Sequence, residues 1–176
     1  TLSGHGDALQ IALRRGHEPM VQVLSQVMGQ RRTLGTRETR VMLGVFGDDG
    51  RAVTQALAGS DDPDVLDDLG RPFLHVAARL GHRSAIGALL DAGGYCDAED
   101  EIGFTALMVA AREGQSATVS DLLEAGANPG HVARDQGNGM QPLHLAAVGG
   151  HVGIVQELAA AGATLDARDV DGVTPM

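Results

Sequence analysis

Leu107-Met108-Val109-Ala110-Ala111 decides the fold because the stretch recurs. Leu74-His75-Val76-Ala77-Ala78 and Leu143-His144-Leu145-Ala146-Ala147 share its pattern. A Gly falls seven residues after each leading Leu, at Gly81, Gly114 and Gly150, as Gly16 follows Leu9. His comes next three times, at His17, His82 and His151. A second apolar set closes each unit: Val21/Leu24, Ile86/Leu89/Leu90, Val119/Leu122/Leu123 and Val155/Leu158. With Met42 and Met176 in the Leu place, anchors stand at 9, 42, 74, 107, 143 and 176, spaced 33, 32, 33, 36 and 33. A near-constant period of this length marks stacked repeats.

One unit can be read physically. Thr105 and Thr174 fit N-caps, each offering an oxygen to exposed helix amides. Pro142 and Pro175 fit a first helical turn, where a missing N–H costs nothing. The first helix of a unit is expected over 105–113, with an Ala-Ala pair small enough for neighbouring helices to approach. The Gly seven residues after the Leu ends it in a left-handed conformation. A second helix, 117–125, buries Val119, Leu122 and Leu123 at i, i+3 and i+4, and Gly126 ends it. The remainder is an extended finger turning at Gly70, Gly103, Gly139 or Gly172, with Asn138-Gly139 a tight-turn pair.

Gly103-Phe104-Thr105-Ala106-Leu107, Gln141-Pro142-Leu143-His144-Leu145-Ala146-Ala147 and Asp171-Gly172-Val173-Thr174-Pro175-Met176 carry a resemblance to the ankyrin repeat. It implies an all-α solenoid of about five helix-turn-helix repeats with β-turn fingers. The units fall at about 1–34, 35–66, 67–99, 100–135 and 136–168, with a further one starting at 169–176. Three departures stand out. Val45-Phe46 replaces Ala-Ala and Asp49-Gly50 replaces Gly-His, which predicts a distorted second unit. The fourth-to-fifth connection is three residues longer, around Ala133-Arg134-Asp135. The chain starts at Thr1 and stops as a sixth unit begins, so it reads as an excised fragment.

Composition narrows function. The 176 residues, 43% hydrophobic and 20% charged, suit one globular domain. No apolar run nears the roughly 18 residues of a membrane span. Net charge −10 with 2% aromatic residues argues against nucleic acid. All thirteen basic residues are Arg. Residues 1–88 balance ten Arg with ten acids, while 89–176 hold three Arg and thirteen acids, so the excess charge lies in the second half. The absent Lys fits a GC-rich bacterial genome, or selection against lysine modification in a secreted effector inside a host cell. Cys96 has no partner for an internal disulfide, which suits a reducing, cytoplasmic compartment. At a finger base it reads as a buried, inert thiol.

No catalytic, cofactor-binding or metal set emerges. The resemblance implies turn and inter-repeat hydrogen bonds for His17, His75, His82, His144 and His151. His131 with Asp135 is too little for a metal. Asp61-Asp62-Pro63-Asp64 and Asp67-Asp68 lack calcium-loop spacing and read as a solvated acidic finger. Gly44, Gly47 and Gly50 make no phosphate loop. The chain is therefore expected to be no enzyme.

Positions that stacking leaves free carry the functional expectation. They are Leu69, Arg71, Arg79 and Leu80 in the third unit, and Glu101, Ile102, Phe104, Arg112 and Glu113 in the fourth. Asn138, Met140 and Val148 follow in the fifth, then Val170 and Val173. Arg14, Arg79 and Arg112 share one place on the first helix of their units, which predicts an arginine row. Relatives of the resemblance bind partners in a concave groove built from such positions. A monomeric protein-recognition module is the reading: Phe104, Ile102 and Met140 anchor a protein or peptide, and Arg79 and Arg112 pair with its carboxylate. The opposing arrangement folds Phe104 back on its finger and pairs the Arg with Asp100, Glu101 or Glu113. Two other functions stay open: a targeting or regulatory arm of a larger enzyme or toxin, and anion or membrane-surface binding by Arg31-Arg32-Thr33-Leu34-Gly35-Thr36-Arg37.

Overall fold

The computed structural model describes residues 36–59, 64–66, 71–134 and 137–175. The first unit, with Arg14 and His17, lies outside them, as do Arg31–Gly35, Asp61, Asp62, Asp67, Asp68, Leu69, Gly70, Asp135 and Met176. Among the described residues stand eight helices: α1 (Thr36–Phe46), α2 (Gly50–Leu57), α3 (Phe73–Leu80), α4 (Arg83–Asp91), α5 (Ala106–Glu113), α6 (Ser116–Glu124), α7 (Pro142–Val148) and α8 (Val152–Ala160). No helix among them is long and apolar enough to cross a membrane.

The helices form four antiparallel pairs. α1, α3, α5 and α7 make an inner layer and α2, α4, α6 and α8 an outer one, each helix touching its mate and its counterpart in the next unit. Ala77, Ala78, Ala110, Ala111 and Ala146 are fully buried, so the inner helices meet across methyl groups. Ile86, Leu89, Leu107, Leu122, Leu143, Ile154 and Leu158 fill the space between the layers as one continuous core.

Local signals act where the sequence puts them. Thr105 caps α5, its side chain accepting from Met108 N at 3.4 Å. Gly81 and Gly114 end α3 and α5 in the left-handed region, at φ 72° and 76°. Pro142 opens α7. Asn138 and Gly139 both take positive φ, the tight turn that their pairing predicts. α6 begins at Ser116, one residue before the expected start.

Unit two keeps a regular helix pair, although α1 meets α3 less closely than α3 meets α5 or α5 meets α7. α1 runs regularly for 11 residues, with Val45 in the core and Phe46 half-buried against it. The turn supplies the reason. Asp48, at φ 52°, takes the left-handed place that Gly81 and Gly114 take, and Asp49 caps α2 by accepting from Ala52 N at 3.1 Å. Asp48, Gly81 and Gly114 stand 33 residues apart. Unit two is thus a full repeat whose first helix is one residue shorter between anchor and turn.

Hydrogen bonds tie each unit to the next. Nε2 of His75 donates to the Phe104 carbonyl at 2.7 Å and Nε2 of His144 to that of Val173 at 3.2 Å, both 29 residues on. Gln141 N donates to His144 Nδ1, so that ring carries its proton on Nε2. At the turns His82 Nδ1 donates to Val45 O at 2.8 Å, Gln115 Nε2 to Arg79 O at 3.2 Å and His151 Nε2 to Arg112 O at 3.0 Å. The four described histidines of the repeat thus have the role that the resemblance implies. Asp64 is more than solvated: its carboxylate accepts from Tyr95 N at 2.9 Å, as that of Asp97 accepts from Asn128 N at 2.9 Å.

Candidate partner-binding face

Two positions per unit stand at the junction of finger and inner helix. One stands three residues before the anchor (Arg71, Phe104, Met140, Val173) and one five after it (Arg79, Arg112, Val148). The helical repeat places the second set on one side of α3, α5 and α7. Stacking then lines both sets up along the solenoid.

In units three and four these positions converge. Arg71, Arg79 and Arg112 line a cavity of about 60 Å³ together with His75, Val76, Asp100 and Val109. Asp100 is the acid of the lining. Its Oδ1 is held by the amides of Ile102 at 3.0 Å and Phe104 at 2.9 Å, bonds that shape the finger turn. The Arg112 guanidinium lies 5.7 Å from the centroid of the Phe104 ring, a cation–π distance, and its Nε donates to Glu113 at 3.2 Å. His75 holds the Phe104 carbonyl. A chain of contacts thus runs from a buried histidine through an aromatic platform to an exposed charge.

One junction is built differently. Met108 stands where units three and five have His75 and His144. It makes no polar tie. It is fully buried in a second apolar cluster with Phe104, Val109, Ala133 and Leu145, and Ile102 and Met140 pack against it. The longer finger makes room for this cluster: Ala133 N donates to Met140 O and Gly139 N to Ala133 O, both at 2.8 Å. Gly137 is required there, since a Cβ would stand 2.8 Å from Ile102 O and overlap Ala133 Cβ.

Residues 41–133 match the family model for ankyrin repeats in three copies, and residues 138–170 match the model for the ankyrin repeat. The chain belongs to the ankyrin-repeat family. Its matched segments include every described helix pair except the first turn of α1. No curated protein matches the chain. Ankyrin repeats form a general protein–protein interaction module, and their fold is typically a non-catalytic one.

Against this ankyrin frame the expected site residues sort clearly. Arg71, Arg79 and Arg112 come together. Leu80, Glu113, Asn138 and Val148 are exposed, Val148 at 82%. Ile102 and Met140 are half-buried, and Leu69 lies outside the described residues. Phe104 is the correction. Expected as an exposed anchor, it is 6% exposed, because its ring turns into the Met108 cluster and under Arg112. Arg112 pairs with Glu113, as in the opposing arrangement, but the Phe104 ring packs across the junction with Met108 and Leu145 rather than back on its own finger.

Other expectations shift more mildly. Cys96 is half-buried and packs on the core from its edge. Burial, with the Asp97 charge beside it, pushes its thiol pKa up. His131 reaches Glu99 at 3.3 Å, and no group of three metal-ligating side chains occurs among the described residues. Thr36 and Arg37 of the basic finger open α1, where Arg37 meets Glu38 at 3.6 Å. Sequence reasoning missed the Met108 cluster. Its signal was present as a Met in a His place, next to the one spacing of 36. It also missed an open cleft of about 740 Å³ along α2 and α4, where Asp48, Asp49, Arg51, Arg83 and Asp91 mix both charges.

Proposed function

We propose that this chain is a non-enzymatic protein-recognition module that works through the groove between its fingers and inner helices. The supporting observation is the convergence of Arg71, Arg79 and Arg112 on one cavity within a chain of net charge −10. With Asp100 in the same lining and Glu113 beside Arg112, the groove offers a partner guanidiniums and carboxylates close together, a polar surface that suits specific recognition. Arg112 is held in place by Phe104 and Glu113, so less side-chain freedom is lost when a partner binds. Phe104 acts as the platform, and Ile102, Met140, Leu80 and Val148 supply apolar contact around it.

An affinity pull-down from a lysate of the source or host cell tests this. The wild-type chain runs beside Arg79→Glu/Arg112→Glu and beside Arg51→Glu in the outer cleft. A protein retained by wild type and by Arg51→Glu, but lost with the double reversal, is the expected result. Equal retention by all three, with helicity unchanged by circular dichroism, overturns the groove as the working surface. Phe104→Ala is the wrong probe here, since a buried ring reports on folding before it reports on binding.

A further inference from the structure

The outer layer has one junction built unlike the others. Arg83 crosses from α4 to Asp121 on α6, and Ser120 crosses from α6 to Glu157 on α8. One repeat earlier, the places of Arg83 and Asp121 are held by Gly50 and Ala88, which cannot bridge α2 to α4. These two helices instead approach closely at their first turns, where a Cβ on Gly50 would stand 2.5 Å from Ser84 O. Along them lies the open cleft of about 740 Å³. Gly87 lies mid-helix in its lining. Glycine weakens a helix interior, yet a Cβ here would meet nothing within 4 Å, so no contact among the described residues calls for one. A body lying on α4 from outside does.

Charge marks one end of the cleft. Asp91 is the last residue of α4, the helix end that favours a cation, and neither α2 nor α4 has a basic residue in its last turn. Among the described residues Asp91 makes no ion pair and no side-chain hydrogen bond. The other acids of the lining are engaged: Asp48 accepts from Ala85 N and Asp49 from Ala52 N, both at 3.1 Å. Arg83 holds Asp121, and Arg51 stands at the far end, about 10 Å from the level of Asp91 along the helices.

We propose that this cleft is a second docking surface and takes an α-helix of a partner protein, with a small residue of that helix over Gly87 and a Lys or Arg against Asp91. The occupant is helical because helices wall the cleft. Their interior amides and carbonyls are already paired, so an extended segment would find no edge to bond, whereas a helix arrives with its own backbone satisfied. Gly87 and Asp91 are four residues apart on α4. The small and basic residues of the partner are then about one turn apart, three or four positions, in either chain direction. The cleft lies on the outer layer, so this inference stands apart from the groove of the inner one.

Alanine-based peptides of about eighteen residues, long enough to stay helical, test this when randomised on one face and selected on phage against the 176-residue chain. The expected enrichment is a Lys or Arg one turn from a Gly, Ala or Ser. A representative peptide should bind about tenfold more weakly, or less still, to Gly87→Gln and to Asp91→Arg. Both substitutions favour α4 itself, so the midpoint in urea should equal or exceed that of wild type, and lost binding is then not lost folding. Selection on Asp91→Arg should exchange the base for Asp or Glu, and Arg79→Glu/Arg112→Glu should leave binding unchanged. No enrichment, a motif without a base, enrichment of helix-breaking residues, or binding indifferent to Gly87→Gln and Asp91→Arg overturns the proposal. So does a peptide lost with Arg79→Glu/Arg112→Glu, which would place the contact in the groove.

Discussion

The junction between units three and four and the junction between units four and five solve one problem in opposite ways. In the first, His75 reaches across the stack to the Phe104 carbonyl. In the second, Met108 stands in the histidine's place and the next finger is three residues longer. The tie is there an apolar cluster of Phe104, Met108, Val109, Ala133 and Leu145. A histidine needs a carbonyl at a fixed reach, so it constrains finger length. Dispersion and burial have no such directional demand, so a Met tolerates a finger that has grown. If the change of residue and the change of length are one adaptation, their effects on stability are coupled.

The comparison breaks first at Phe104, which both junctions share. Phe104→Ala removes its ring from the cluster and should cost about 3–5 kcal/mol, read as a lower midpoint in urea. A loss near zero would mean that the ring packs on nothing. Met108→Ala, confined to the apolar junction, should cost about 2–5 kcal/mol by the same measurement.

Exchange of the two solutions is more discriminating. Met108→His buries a polar ring in the apolar cluster, and His75→Met leaves the Phe104 carbonyl without its donor. Each should cost about 1–3 kcal/mol. Combining Met108→His with removal of Arg134, Asp135 and Gln136 restores the 33-residue spacing found elsewhere. The combination should be more stable than the sum of its two separate losses allows. Strict additivity would show that Met108 and the longer finger are unrelated.

The smallest effect is expected on the outer layer, where Arg83 makes two hydrogen bonds of 2.6 Å to Asp121 and so joins α4 to α6. The Arg83 guanidinium holds the Asp121 carboxyl below its ordinary pKa. Unfolded Asp121 binds its proton at a higher pH than folded Asp121. The contribution is therefore complete above the unfolded value and fades as pH falls through the folded one. Asp121→Asn should lower the melting temperature slightly at neutral pH and in low salt, and the gap to wild type should close in acid. A gap that persists at the acid end would assign the effect to packing.

Much of this architecture is legible in the residues. The period, the Thr105 cap, the glycines at 81 and 114 and the Asn138-Gly139 turn are each set by local chemistry that a pattern exposes. Unit two misleads because Asp48, a residue that tolerates left-handed backbone, takes over from glycine one place early. Phe104 misleads for a different reason. A finger base has no period of 2 or 3.6 to tell inward from outward. The direction of its ring depends on Met108, on Arg112 and on Ala133 of a finger 29 residues on. The arginine row was readable as a spacing of 33 between Arg79 and Arg112. That Arg71 joins them from a finger emerges only once the chain is folded.

Cys96 is the only thiol of the chain and sits half-buried at the edge of the core, its pKa pushed up by burial and by Asp97. Little thiolate is then present at neutral pH, so a thiol-reactive dye should react slowly with the native chain and faster once the third and fourth units part. The cysteine is a built-in clock for that opening. Labelling rates at a series of urea concentrations would time how often the stack separates next to its cationic groove.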